Sequence, residues 1–404
     1  MSRTLQLLWN CLWAGLRGDA YPVTYKHKSC FNGTAMAPEI GFIKRYSDTV
    51  IQSYQKHIPG SEAASDYLLQ ISNECKELIK QLLLTPTQRD EFNIEFFTGT
   101  SRAVEVALAG IFGPKKIILS PFEHPTVAEV TKWYTSIDGS NVYQICFGSA
   151  DFFRNWQEQE SKFIDQLMSK VPHDTKTSVL ILSEVSYATG MVIPLEGFIK
   201  RIRNLWDKST LKIIIDGAHS VGNGRRLYVL DECDVYIYSA HKWLLAPEPC
   251  GIMLSRQETS RKLTSYDSWS NTLPLTTVSA RTIAGLLGSL KFLERVGLEK
   301  LWSHSWELRR SLLERTQSKF MMVGENNGME ASLMVAVCPK PGFRWIYNLQ
   351  ELRAYLQKNS VYVLVLAIDP TIPWIRVAFQ YFIKARQLNL LCAVLETTVV
   401  SQEE

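Results

Sequence analysis

Asp234-Val235-Tyr236-Ile237-Tyr238-Ser239-Ala240-His241-Lys242-Trp243 begins as the β-branched and aromatic run of a short buried strand and ends in a Ser, a His and a Lys. A loop with Pro and Gly follows, Ala246-Pro247-Glu248-Pro249-Cys250-Gly251. Taken alone, a Lys at the end of a buried strand ordinarily keeps its head in water. Upstream, however, Ile213-Ile214-Ile215 runs into Asp216-Gly217-Ala218-His219, a second apolar run that ends in an acid and a His. The pair of strand ends points to chemistry. A Lys that can shed its proton can form a Schiff base with an aldehyde cofactor, and a buried Asp can hold a pyridine nitrogen protonated.

The same alternation continues on the N-terminal side. Ile94 to Phe97 reads as a strand, Thr98-Gly99-Thr100-Ser101 as a turn, and Arg102 to Ile111 as an apolar helix. Such a turn can bind an anion with its first helical N–H groups, or merely cap the helix with a hydroxyl. Lys116 to Leu119 is a second strand, ending at Ser120-Pro121-Phe122-Glu123-His124-Pro125. Asn141 to Ile145 and Ser178 to Leu182 read as further strands, with a helix over Phe152 to Ser169 between them. Gly197 to Trp206 reads as a helix whose Arg201 and Arg203 face solvent. Repeated strand–helix units predict an α/β fold: a mainly parallel sheet with helices on both faces. Ligands of such sheets sit beyond the strands' carboxyl ends. Thr98, His124, Glu184, Asp216 and Lys242 all fall there.

IIIDGAHSVG followed by DVYIYSAHKWLLAPEPCG resembles the core of the class V aminotransferase family, pyridoxal-phosphate enzymes of fold type I. Cysteine desulfurases, isopenicillin epimerase-like proteins, sulfoxide lyases and kynureninase belong to that family. The resemblance runs from about residue 30 to about residue 385. It implies pyridoxal 5'-phosphate as cofactor, carried on Lys242, with Asp216 at the pyridine nitrogen. It implies phosphate contacts from Gly99, Thr100 and Ser101, joined by Ser239 and His241. Glu123-His124 matches the family's EH pair, so His124 would stack on the pyridine face and move protons near neutral pH. Arg376, within Trp374-Ile375-Arg376-Val377-Ala378, matches the Arg that grips the substrate carboxylate; otherwise it is a strand Arg in an ordinary ion pair. Asn32 to Ala35 would pass the substrate side, or form a plain Asn-Gly turn.

Four departures from the patterns of the family and its desulfurases bear on the reaction. Tyr187 stands where the commonest pattern has an Asn that bonds the cofactor's phenolic oxygen. The Tyr hydroxyl or His219 would have to supply that bond. His219, where desulfurases carry Gln, sits nearer the epimerase, sulfoxide-lyase and kynureninase branch. Desulfurases carry sulfur on a Cys in a loop shortly before the Arg strand, and Ala367-Ile368-Asp369-Pro370-Thr371-Ile372-Pro373 has none. Cys338 and Cys392 read as structural. At the family's Gly-Thr pair, which reaches the neighbouring subunit's phosphate, this chain has Arg281-Thr282. Arg281 either contacts cofactor or substrate across the interface or snorkels to solvent. Transamination, β-elimination or C–S cleavage, epimerisation, and decarboxylation with C–C bond formation all remain open. So does a pseudoenzyme that only binds the cofactor.

Domain organisation follows from these runs. Residues 1–44 read as an N-terminal helix with an extended lead-in, 45–277 as the large cofactor domain, and 278–404 as a smaller α+β domain. Ser61 to Leu84 is a packing helix, and Ser260 to Thr277 a polar loop near the site or at a subunit contact. The small domain holds helices over Ile283 to Val296, Leu298 to Gln317 and Leu349 to Gln357, with strands at Ala331–Val337, Tyr362–Leu366 and Trp374–Phe379. Leu5, Leu8, Trp9, Leu12 and Leu16 keep helical spacing over a stretch too short to span a bilayer. That helix would dock on the body or a partner subunit, or lie on a membrane surface.

The composition sets outer bounds. At 404 residues, 46% hydrophobic and 21% charged, the chain has the make-up of a soluble globular protein of two domains. A net charge of +4 without a long basic cluster is too small to imply a nucleic-acid partner. Eight scattered cysteines, with no CxxC, read as reduced thiols of a cytoplasmic protein and exclude a zinc site. The partners expected are an amino-acid substrate and a second copy of the chain, in a homodimer with shared active sites.

Overall fold

The structure, a computed structural model, describes residues 29–32, 39–110, 115–147, 156–171, 178–224, 233–247, 249–256, 278–322, 332–369 and 372–402. The expected N-terminal helix, Gly33 to Ala35, the Ser260–Thr277 loop, and Pro370 with Thr371 lie outside them.

In chain order the described elements begin with β1 (Ser29–Cys30), α1 (Gly41–Tyr54) and α2 (Glu62–Leu83). The large unit continues with β2 (Phe92–Phe97), α3 (Thr100–Ala109), β3 (Lys116–Leu119), α4 (Pro125–Asp138), β4 (Asn141–Gln144), α5 (Trp156–Lys170), β5 (Ser178–Ser183), α6 (Leu195–Leu205), β6 (Leu211–Asp216), β7 (Val235–Ser239) and β8 (Gly251–Arg256). Then come α7 (Ala280–Val296), α8 (Leu298–Thr316), β9 (Phe320–Met322), β10 (Met334–Pro339), β11 (Phe343–Trp345), α9 (Leu349–Lys358), β12 (Val361–Tyr362), β13 (Leu364–Asp369), β14 (Ile372–Ala378), α10 (Ala385–Glu396) and β15 (Val399–Ser401).

Seven strands form the main sheet in the order β2-β8-β7-β6-β5-β3-β4. All pairings are parallel except those of β8, which runs against both its neighbours. The period-2 side-chain alternation of strands explains the two-sided core. Leu180, Leu182, Ile213, Ile215, Tyr236 and Tyr238 face one apolar cluster. Val179, Ile181, Ile214, Val235 and Ile237 face the other. A strand buried on both faces has no polar alternation to show, which is why these segments read as unbroken apolar runs.

A second, antiparallel sheet runs β13-β14-β10-β9. α1 packs on α7, and α7 on α2 as well. The boundary drawn at residues 44 and 45 therefore falls inside a helix. The expectation for Arg203 is corrected here: its side chain is only 10% exposed, ion-paired to Asp234 at 2.9 Å, and it donates to the Leu211 carbonyl. Arg201 keeps a half-exposed side chain, paired with Glu160. Among the described residues no helix is long and apolar enough to cross a membrane, and no cluster of three or more His, Cys, Asp or Glu could hold a metal ion.

Candidate active site

Strand register gathers the site. Ser183, Asp216 and Ile237 lie in one row across β5, β6 and β7. Phe97, Gly251 and Ser239 form another across β2, β8 and β7. The turn after β2 and the segment after β7 thus leave the sheet on either side of the start of β8. A Cβ on Gly251 would lie 2.5 Å from the Gly99 carbonyl carbon, so glycine is what lets the start of β8 approach the turn after β2. A Cβ on Gly99, by contrast, would meet nothing within 4 Å.

Beyond β7 the chain turns tightly. Ala246 N donates to the Ala240 carbonyl (3.0 Å), Ser289 of α7 donates to the Leu244 carbonyl, and Leu245 takes the left-handed φ of 67°. That region costs a branched residue on the order of 1–3 kcal/mol, and such strain concentrates where a side chain must be aimed. The same turn carries Lys242. Its Nζ lies 2.9 Å from His219 Nε2. His219 is 5% exposed, and its Nδ1 is buried without a hydrogen-bond partner. Burial first, then the charges of Lys242 and Arg376, hold its imidazole well below the usual pKa, so it is neutral.

Asp216 ends β6 and is 5% exposed. Its Oδ1 accepts from Ala218 N at 2.8 Å. Burial raises its carboxyl pKa, while Lys242 and the Ala218 N–H pull it back. A cationic ring nitrogen beside it would favour the ionised form. His124 caps α4, its Nδ1 accepting from Thr126 N at 3.2 Å. Its expected titration near neutral pH is corrected: burial, then Lys242 and Arg376, lower the pKa to about 4.

Arg376, at the centre of β14, is 3% exposed. It donates to the Tyr187 carbonyl and, at 2.8 Å, to Asn32 Oδ1; its Nε is buried without a partner. Burial lowers its pKa to about 10, which leaves it charged at neutral pH. Asn32 is brought there because Ala378 N donates to the Phe31 carbonyl (2.8 Å). Tyr187 sets its ring edge-on to His124, centroids 4.8 Å apart.

The residues present fit a pyridine-phosphate cofactor. α3 opens at Gly99 with no side-chain cap, so the first-turn N–H groups, with the hydroxyls of Thr100 and Ser101, can take a phosphate. Ser239 Oγ is 1% exposed as a residue and unpartnered. His241 is held at the same place by the Cys250 backbone, Nδ1 to O at 3.0 Å. Arg281 and Thr282 stand apart at the start of α7. Arg281 is exposed, and Thr282 N and Oγ1 both meet the capping Ser279 hydroxyl (3.1 and 3.0 Å). No described contact joins either to Lys242.

The sequence reading left Glu123 without a role of its own. It is 8% exposed and accepts from Ser120 Oγ at 2.6 Å, from Ser183 N, and from Ser183 Oγ at 3.0 Å, tying the ends of β3 and β5 together. Burial, then the neighbouring Asp216, pushes its carboxyl up to about 8. Glu184 was placed at the strand ends without a partner, and Tyr236 was read only as a strand residue. Tyr236 donates to the Glu184 carboxylate under the Asp216 loop. The signal available for Glu123 was its place beside His124 after an apolar strand.

A family model described as aminotransferase class-V matches residues 31–365. A cysteine desulfurase from Serratia proteamaculans is 25% identical over 252 residues, 55% of this chain and 57% of that protein. One from Wigglesworthia glossinidia brevipalpis is 21% identical over 153 residues, 33% and 36% of the two chains. The chain thus spans little more than half the length of the first of these relatives. Among solved structures, a cystine C–S lyase in complex with cysteine persulfide superposes with a TM-score of 0.75 at 18% identity, covering 92% of this chain and 98% of that one. A cysteine desulfurase from Thermococcus onnurineus superposes with a TM-score of 0.70 at 17% identity, over 91% and 93%.

Proposed function

The chain belongs to the aminotransferase class-V family, and on that footing we propose that it is a pyridoxal-phosphate enzyme acting at the α-carbon of an amino acid, with transferase or lyase chemistry. The observation that carries this reading is the meeting of Lys242 Nζ with His219 at 2.9 Å, beside a buried Asp216 whose 2.8 Å bond from Ala218 leaves it open to a cation.

The cofactor, when bound, supplies an aldehyde that condenses with primary amines and a ring that draws electrons from the α-carbon. Gly99, Thr100, Ser101, Ser239 and His241 would hold its phosphate, Asp216 would pair with its ring nitrogen, and His124 would pack against its ring. Tyr187 Oη or His219 would donate to its ring oxygen. Lys242 would anchor it, and the Lys242 amine, when free, would take or return the α-proton. Arg376 holds the substrate carboxylate with Asn32 beside it. Thr282 and Arg281 of a second copy complete the phosphate or substrate contacts in a homodimer. The protein works in the cytoplasm, without nucleic acid or stable membrane insertion.

C–S bond cleavage is favoured among the reactions, because the relatives are cysteine desulfurases and a solved neighbour is a cystine C–S lyase. Relay of sulfur through a protein thiol is disfavoured. Where that thiol would stand, β13 and β14 form a hairpin with Asp369 opposite Ile372, too tight for a long loop. Cys338 is 1% exposed, and burial pushes its thiol up to about 12. The experiment is incubation of the purified yellow protein with a panel of amino acids, following the spectrum and the product mass. Sulfur release from cysteine or cystine, with no persulfide left on the chain, is the expected result. Amino-group retention on the cofactor with every substrate would move the assignment to transamination. A persulfide lost in Cys338→Ser or Cys392→Ser would restore the relay.

A further inference from the structure

Tyr187 is tied into the site at two points. Its backbone carbonyl accepts from Arg376 Nη1, and its ring meets His124 edge-on at 66°, centroids 4.8 Å apart. The loop that carries it is closely held. Glu184 N donates to the Asp216 carbonyl (3.0 Å), Ser186 N to the Met191 carbonyl (2.9 Å) and Gly190 N to the Ser186 carbonyl (2.9 Å). Gly190 takes a left-handed φ of +75°, and a Cβ there would lie 2.2 Å from the Met334 carbonyl oxygen. This loop is held between the main sheet and β10, and the Tyr187 ring leaves it against His124.

Asp216, His219 and Arg376 are buried, whereas Tyr187 and His124 are each partly exposed. These two rings therefore face the opening of the site. A substrate with its carboxylate at Arg376 and its amine towards Lys242 must send its side chain past them. We propose that the Tyr187 ring is the wall that limits the substrate side chain, admitting short, unbranched groups such as a β-sulfur and turning away bulky ones. This inference rests on the reading of Lys242 and Arg376 given above. A polarisable sulfur packs well against ring edges, and two rings set edge-on at 66° offer one. The Arg376 contact is to the backbone of Tyr187, so changing the side chain alters the wall and leaves the carboxylate grip in place.

The test uses the holoenzyme with cysteine, S-methylcysteine and S-benzylcysteine, which share one scissile bond and differ in bulk. Two readouts are taken: apparent affinity from the change in the visible spectrum, and kcat/KM for sulfur release. Tyr187→Asn and Tyr187→Ala are expected to raise the S-benzylcysteine to S-methylcysteine ratio by about tenfold or more in both readouts, the order a few methylenes of pocket space confer. Tyr187→Phe keeps the ring and is expected to keep the wild-type ratio. An unchanged ratio in Tyr187→Asn and Tyr187→Ala, with a normal chromophore and a spectral response to S-methylcysteine, would overturn the wall. A wild-type spectrum indifferent to every amino acid would instead overturn the reading of the site, and the wall with it.

Discussion

Two buried aspartates sit near opposite ends of the same pair of strands. Asp234 precedes β7 and is 4% exposed; Asp216 ends β6 and is 5% exposed. Their burial is equal and their company is not. Asp234 takes Arg203 Nη2 at 2.9 Å, Lys212 Nζ at 3.2 Å and Ile213 N at 2.9 Å. Asp216 takes the Ala218 N–H. A buried carboxylate without partners is costly, so one carried at a strand end beside Lys242 implies a partner that arrives from outside. Asp234 is spent on the fold, whereas under the proposed function Asp216 is left for a ligand. Around Asp216 lie the unpartnered atoms His219 Nδ1, Ser239 Oγ and Arg376 Nε.

Substitution should break this symmetry of burial cleanly. The largest effect belongs to Lys242→Ala, which should abolish turnover and the visible band that borohydride removes; steady-state assay and absorption spectroscopy check both. Asp216→Ala should retain some cofactor yet slow α-proton loss about a thousandfold, the scale of a dominant electrostatic stabiliser, as read by exchange of the α-proton with solvent deuterium. Asp234→Ala should do the reverse. Removing one partner of a buried ion pair costs about 3–5 kcal/mol of folding stability, measurable by urea unfolding, while the rate per bound cofactor stays within a few-fold. Equal kinetic damage from both would erase the distinction.

How much of this was legible in the sequence follows from what each segment had to signal. β5, β6 and β7 are buried on both faces, so they wrote apolar runs, and the polar residues after each run marked the site edge. Direction left no such mark. β8 has the same composition as its neighbours, and its antiparallel course follows from a connection after Lys242 too short for a crossover helix. Arg203 was read as solvent-facing because its partner Asp234 lies 31 positions away, beyond any helical or strand period. Arg376 was singled out through its family context alone. Its local run, Trp374 to Ala378, is an ordinary buried strand, and Asn32 reaches it from the far end of the chain.

A smaller effect is expected at Arg281. If it reaches the cofactor phosphate or a second substrate anion of a neighbouring copy, Arg281→Ala should weaken one of those ligands about tenfold or more, worth roughly 2 kcal/mol, while sedimentation still shows a dimer. Unchanged affinity for both would return Arg281 to solvent. A further effect, on stability rather than on turnover, is a pH dependence at Glu123. Its folded carboxyl titrates near 8 against an ordinary 4.5. A raised folded pKa means that stability is fully present below about 4.5 and is lost as pH rises through 8. Glu123→Gln should therefore flatten the fall in unfolding free energy over that window, a slope of at most about 1.4 kcal/mol per pH unit for one proton. An unaltered slope would mean that the carboxyl is ionised throughout.

The claim on which the rest depends is that Lys242 is the amine that carries the cofactor. Borohydride reduction of the purified holoenzyme, followed by proteolysis and mass mapping of the modified peptide, tests it most directly. The pyridoxyl group is expected on Lys242, within Tyr238-Ser239-Ala240-His241-Lys242-Trp243. Its recovery on any other lysine, or a chromophore that reduction leaves untouched, would contradict the account.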